Sequence, residues 1–188
     1  MNRTSTPRPP LVIAAILIAA IILSCSNTAF DIAQGHVGQL SNLTTMKELK
    51  DLFAADSLVA LNPSTDQETL VGEVEVYNTL GEKLLVISPA DEYNPESVIA
   101  NIRILDPRYT TKNGINAQSN FGQVKAAHDI QSIDNAINAV VVYLKDSDLY
   151  LTIDKKHLPE NVRYDYSSKI ESSQIPNDAP FKYFMIGW

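Results

Sequence analysis

The side chains able to carry chemistry are few: one cysteine, Cys25, and three histidines, His36, His128 and His157, in 188 residues. The histidines show neither H-E-x-x-H nor H-x-x-x-H spacing, so local geometry brings no two imidazoles to one metal. A single cysteine excludes an intrachain disulfide and a multi-cysteine zinc site. No G-x-S-x-G elbow marks a serine nucleophile, and phosphate-binding and dinucleotide-binding glycine loops are missing. No cofactor and no metal are therefore expected, and no catalytic residue is named. Asp146-Ser147-Asp148, with Asp154 nearby, could offer carboxylates to Ca²⁺, but the central glycine and distal glutamate of a calcium loop are absent. Asp and Ser also bond their own backbone two residues on, so a tight turn is the preferred reading. The 22 acids could be paired for glycoside hydrolysis in many ways, which leaves their number uninformative.

The position of Cys25 says more than its reactivity. Arg3 and Arg8 precede an unbroken apolar run, Leu11 to Leu23, which ends in Ser24-Cys25. As a helix that run rises about 20 Å, short of a hydrocarbon core of about 30 Å, so a cleaved signal is favoured over a stable span. Ile22-Leu23-Ser24-Cys25 resembles a bacterial lipobox, in which a small residue exposes the bond to a peptidase and the thiol takes the lipid. Residues 1–24 are thus expected as a signal peptide, Cys25 as the lipid-attachment site and 25–36 as a lipidated tether. In such a setting the sequon Asn42-Leu43-Thr44 is incidental. Ser26 rather than Asp after the cysteine favours the outer membrane, with the protein facing the periplasm. The chain carries 15 basic and 22 acidic residues, a net charge of −7. That balance disfavours nucleic acid, whose binders gain affinity from Lys and Arg, and leaves lipid as the means of membrane attachment.

The elements that must position these residues come from an internal repeat. Residues 74–87 align without a gap to 140–153, and each block reads as a β-hairpin of β-branched and aromatic residues, turning at Leu80-Gly81-Glu82 and at Asp146-Ser147-Asp148. Ahead of each lies a short amphipathic helix: Thr45-x-x-Glu48 and Asn120-x-x-Gln123 have capping-box form, with stripes Met46, Leu49, Phe53 and Phe121, Val124, Ala127. Gly38 and Gly114 precede the two helices as tight turns, while Gly122 weakens the second. Ser97–Asp106 is a central strand stopped at Pro107. Phe181–Trp188 is a final strand that packs Tyr183, Met185 or their neighbours inward, with Trp188 closing an edge. Residues 158–180 read as a long surface connection holding a strand at Val162–Tyr166. Tyr164, Tyr166, Tyr183, Phe184 and Trp188 are candidates for an aromatic recognition surface, although core burial is the commoner fate of such residues. The fold class is α+β, mainly β: antiparallel hairpins from two related halves (about 38–90 and 114–156), each preceded by a short helix, in one globular domain over 37–188.

Gly35-His-Val-Gly-Gln-Leu40, Ile99-Ala-Asn-Ile-Arg-Ile-Leu-Asp106, and Gly114-Ile115 leading to Ser119-Asn-Phe121 form a spaced pattern over residues 35–125. In that pattern the chain resembles YfeY-type lipoproteins, an envelope-stress-regulated family of uncharacterised function. The resemblance implies a mature envelope lipoprotein with a β-rich domain and contributes no catalytic residues. Three functions follow as expectations. The leading one is a lipid-anchored, non-catalytic module that binds an envelope component or protein. An envelope hydrolase, acting on cell-wall or lipid fragments, requires one of the histidines in a cleft against a carboxylate. A small-ligand binder requires a pocket between the halves.

Overall fold

Strands form where β-branched and aromatic residues alternate between polar turns. The computed structural model describes residues 28–61, 69–165 and 167–188. Residues 1–24, Cys25 and Tyr166 lie outside them. The strands are β1 (Asp31–Ala33), β2 (His36–Val37), β3 (Leu40–Ser41), β4 (Ser57–Ala60), β5 (Val74–Tyr77), β6 (Lys83–Pro89), β7 (Ile99–Ile104), β8 (Thr110–Thr111), β9 (Ile130–Asn135), β10 (Ala139–Leu144), β11 (Leu149–Asp154) and β12 (Tyr183–Gly187). The α-helices are α1 (Leu49–Leu52), α2 (Phe121–Ala127) and α3 (Glu160–Arg163). An eight-stranded sheet runs β4-β5-β6-β7-β12-β11-β10-β9, and a small sheet runs β3-β2-β1-β8. Every pair in the large sheet is antiparallel; β1 and β8 are parallel. The fold is mainly β with a few short helices. No helix among the described residues is long and apolar enough to cross a membrane.

The repeat extends well beyond the hairpins. Val74 faces Ile87 and Val76 faces Leu85 in the first hairpin; Val140 faces Ile153 and Val142 faces Leu151, the aligned residues, in the second. Leu58 beside Val76 corresponds to Ile133 beside Val142, and Ile104 beside Leu85 corresponds to Phe184 beside Leu151. Each half is therefore a helix followed by a four-stranded meander. The fourth strands, β7 and β12, join the meanders, and Met185 faces Arg103. Continuing that register sets Phe184 opposite Ile104, so a pseudo-twofold axis passes between equivalent residues. The helix starts repeat as well: Met46 N–H donates to Ser97 O and Phe121 N–H to Ala179 O, both at 3.0 Å.

One face of the large sheet carries the core. Val74, Val76, Leu85, Ile87, Ile102, Ile104, Val140, Val142, Leu151, Ile153, Phe184 and Ile186 are buried in one cluster with Met46, Leu49 and Phe53 near α1 and Phe121 and Val124 of α2. Both helix starts are capped. The Glu48 carboxylate accepts from the Thr45 N–H at 2.7 Å and hydroxyl at 2.9 Å, while Asn120 and Gln123 exchange side-chain and backbone bonds at 3.0 and 2.8 Å. Gly38 and Gly114 adopt φ of 56° and 76°, the left-handed turns expected before the helices.

Several sequence-based expectations are corrected. β12 is not an edge strand but lies between β7 and β11. Of the residues expected to pack inward, it is the neighbours Phe184 and Ile186 that do so, while Tyr183 is 38% exposed. Trp188 therefore closes no edge; its N–H donates to Ala100 O at 2.8 Å. Val162 lies in the short helix α3, not in a strand. The connection from 158 to 180 is more than surface, since Leu158, Val162, Ile170, Ile175 and Ala179 are buried against the core. Of the residues expected as a tether, 25–36, Asp31–Ala33 form β1, where Ile32 is buried, and His36 opens β2.

Candidate functional site

The β10–β11 turn organises the most functional-looking corner of the molecule. Asp146 takes φ 52°, tolerable for Asp, and the Ser147 hydroxyl oxygen accepts from the Leu149 N–H at 3.1 Å. Asp-Ser-Asp thus forms the tight turn that its residue types favour. One carboxylate does more than turn the chain. Asp148 Oδ2 accepts from the Gly35 N–H at 2.6 Å and from the Trp188 indole N–H at 3.1 Å. Three segments distant in sequence meet on that oxygen: the β1–β2 turn, the second hairpin and the chain end.

Two hollows meet at this staple. The larger, about 670 Å³, includes Gln34, Asn42, Val98, Ala100, Asp148 and Trp188 in its walls. It lies between the halves, since Val98 and Ala100 belong to the first and Gly187 and Trp188 to the second. The smaller, about 180 Å³, has Gln34 and Asp148 in common with it and adds Ile32, Thr111, His128 and Asp146. Together they form a groove where the small sheet meets the junction of β7 and β12.

His128 arrives there because α2 stops: its N–H still closes the last helical turn on Val124 O at 2.8 Å, but its φ and ψ of −140° and 146° are extended. Its Nε2 is buried without a hydrogen-bond partner. Burial pushes its pKa below the ordinary value, so the ring is neutral at neutral pH. The carboxylates of Asp146 and Asp148 line the same hollow but form no ion pair with it. The other histidines are elsewhere. His36 in β2 stands 3.5 Å from Asp31 with both side chains about half exposed, and His157 lies in the 3₁₀ turn after β11. Among the described residues no three His, Cys, Asp or Glu side chains are grouped to hold a metal. The groove can therefore hydrogen-bond a ligand through the amides of Gln34 and Asn42, against the apolar Val98 and the Trp188 indole.

The chain is similar in fold to YfeY. The crystal structure of that uncharacterised protein from Escherichia coli aligns at a TM-score of 0.53, over 84% of this chain and 99% of that one, with 17% identity. No protein-family pattern and no curated protein matches the sequence.

The aromatic residues of the last quarter do not form one exposed surface. Phe184 is core and Tyr164 is exposed, while Trp188 is spent on Asp148. Sequence reasoning named Trp188 as a recognition candidate and missed Gln34, Asn42 and Val98 as groove residues. The available signal was Gly35, whose φ of 77° reflects a turn that lets its N–H reach a distant carboxylate.

Proposed function

We propose that this protein is a lipid-anchored bacterial envelope protein whose folded part is a non-catalytic binding module. The observation that carries the binding reading is the groove between the halves, whose central carboxylate, Asp148, serves as a structural acceptor. The anchor reading rests on Ser24-Cys25 at the end of the apolar run. The six residues from Cys25 to Asp31 span at most about 20 Å, so a lipid on Cys25 would hold β1, which contributes Ile32 to the groove, close to the bilayer. Attachment to the outer membrane, with the module in the periplasm and an envelope component in the groove, follows from that reading.

Two measurements test it. Labelled fatty acid should enter the intact protein and not Cys25→Ala, which should leave the membrane fraction; equal labelling of both would end the anchor reading. A photo-crosslinking residue at Asn42 should capture a specific envelope component that the same residue at Leu80, at the other end of the strands, does not. A hydrolase is the second reading, favoured by the unpartnered His128 Nε2 in a hollow shared with two carboxylates. It predicts turnover of a cell-wall or lipid fragment that His128→Gln abolishes.

A further inference from the structure

At the opposite end of β7 and β12 from the groove, beside the pseudo-twofold axis, lies a separate hollow of about 340 Å³ whose walls include Arg103, Leu105, Ala117, Phe181, Lys182 and Tyr183. The repeat makes position 103 equivalent to 183, yet one half carries arginine there and the other tyrosine. The Arg103 guanidinium lies 5.5 Å from the centre of the Tyr183 ring, and the Lys182 ammonium lies 5.5 Å from the same centre. Two cations thus share one aromatic ring.

Neither cation forms a close ion pair among the described residues; Glu75 feels Arg103 and Asp154 feels Lys182 only at longer range. Arg108 chelates Asp106 through two nitrogens, and Arg163 donates to the carbonyls of Lys156 and Leu158. Arg103 does neither; its Nε, like that of Arg163, is buried without an acceptor, and no other nitrogen of its guanidinium is engaged by a side chain or carbonyl among the described residues. The nearby carboxylate of Glu75 is already engaged by Lys83 and the Tyr77 hydroxyl. A guanidinium with an unmet donor is costly to bury unless something supplies oxygens to it. An anion in the hollow would supply them. Planar donors suit phosphate oxygens, and Phe181, Leu105 and Ala117 beside them suit an apolar arm.

We propose that this hollow binds a phosphomonoester bearing an apolar group, its phosphate on Arg103 and Lys182 and its apolar arm along Phe181 and Leu105. Such a group occurs both on soluble aryl esters and on a lipid headgroup, and the test separates the two.

The full-length protein in nonionic detergent is titrated with phenyl phosphate and with dihexanoyl phosphatidic acid, with phenol as the uncharged control. Binding of at least one phosphate probe is expected, weakening with salt, reduced about tenfold or more in Arg103→Gln and less in Lys182→Gln. Preference for phenyl phosphate marks a soluble ester, and preference for the diacyl probe marks a headgroup. Lys182 is exposed, so its substitution leaves the fold intact and decides alone if Arg103→Gln does not fold. Binding of neither phosphate probe, or undiminished binding in the variants, overturns the proposal.

Discussion

At the scale of single residues, two side chains report on the groove. Asp148 accepts two donors that nothing else satisfies, so Asp148→Ala should cost about 1–3 kcal/mol by orphaning them. Asp148→Asn retains an acceptor oxygen and should cost less. The chain has one tryptophan, so its fluorescence should shift in Asp148→Ala as Trp188 is released; an unchanged spectrum would contradict the staple. His128 has its pKa lowered by burial. As pH falls below the ordinary histidine value of about 6.5, the unfolded chain takes up a proton before the folded one, and stability declines until the folded pKa is passed. Urea denaturation between about pH 7 and 5 should show that decline in the native protein and a shallower one in His128→Gln.

At the scale of elements, α2 shows how a local rule and a tertiary demand can conflict. Helix propensity counts Gly122 as a weakness in the first turn. Yet a Cβ there would lie 2.9 Å from Asn177 Cβ and 3.0 Å from Asn177 O, and the Gly122 N–H donates to that oxygen at 2.7 Å. Gly122→Ala should therefore destabilise by about 1–3 kcal/mol through overpacking, despite the better propensity. A rise in melting temperature would refute the close approach. The capping box and the apolar stripe were legible beforehand, because they depend on residues within one or two turns. Asn177 was not, because it arrives from a distant connection.

At the scale of the whole molecule, the fold is two similar meanders sharing one sheet through β7 and β12. Phe184 and Ile104 are equivalent and face each other at that seam, where both halves depend on the packing. Phe184→Ala should cost about 3–5 kcal/mol, and a single cooperative transition should be lost as a unit. Tyr183→Ala, on the outward side and 38% exposed, should cost far less. If denaturation instead showed one half melting while the other persisted, the seam would not couple them.

The sequence alone determined the two hairpins, the two capped helices, the central strand and the α+β class, because periodicity, caps and turns are short-range properties written within about ten residues of chain. The aligned blocks take matching registers, Val76 facing Leu85 and Val142 facing Leu151, since alternation leaves each strand one way to bury its apolar side. Only the tertiary structure decided that the last strand would sit at the centre of the sheet, that the connection over 158–180 would bury Ile170 and Ile175, and that Asp148 would serve as a staple. It alone decided, too, that the Arg103 Nε would be buried without an acceptor. Those outcomes depend on which distant segments meet when loops close, and no local pattern of residues encodes the acceptor that a buried side chain will find or miss.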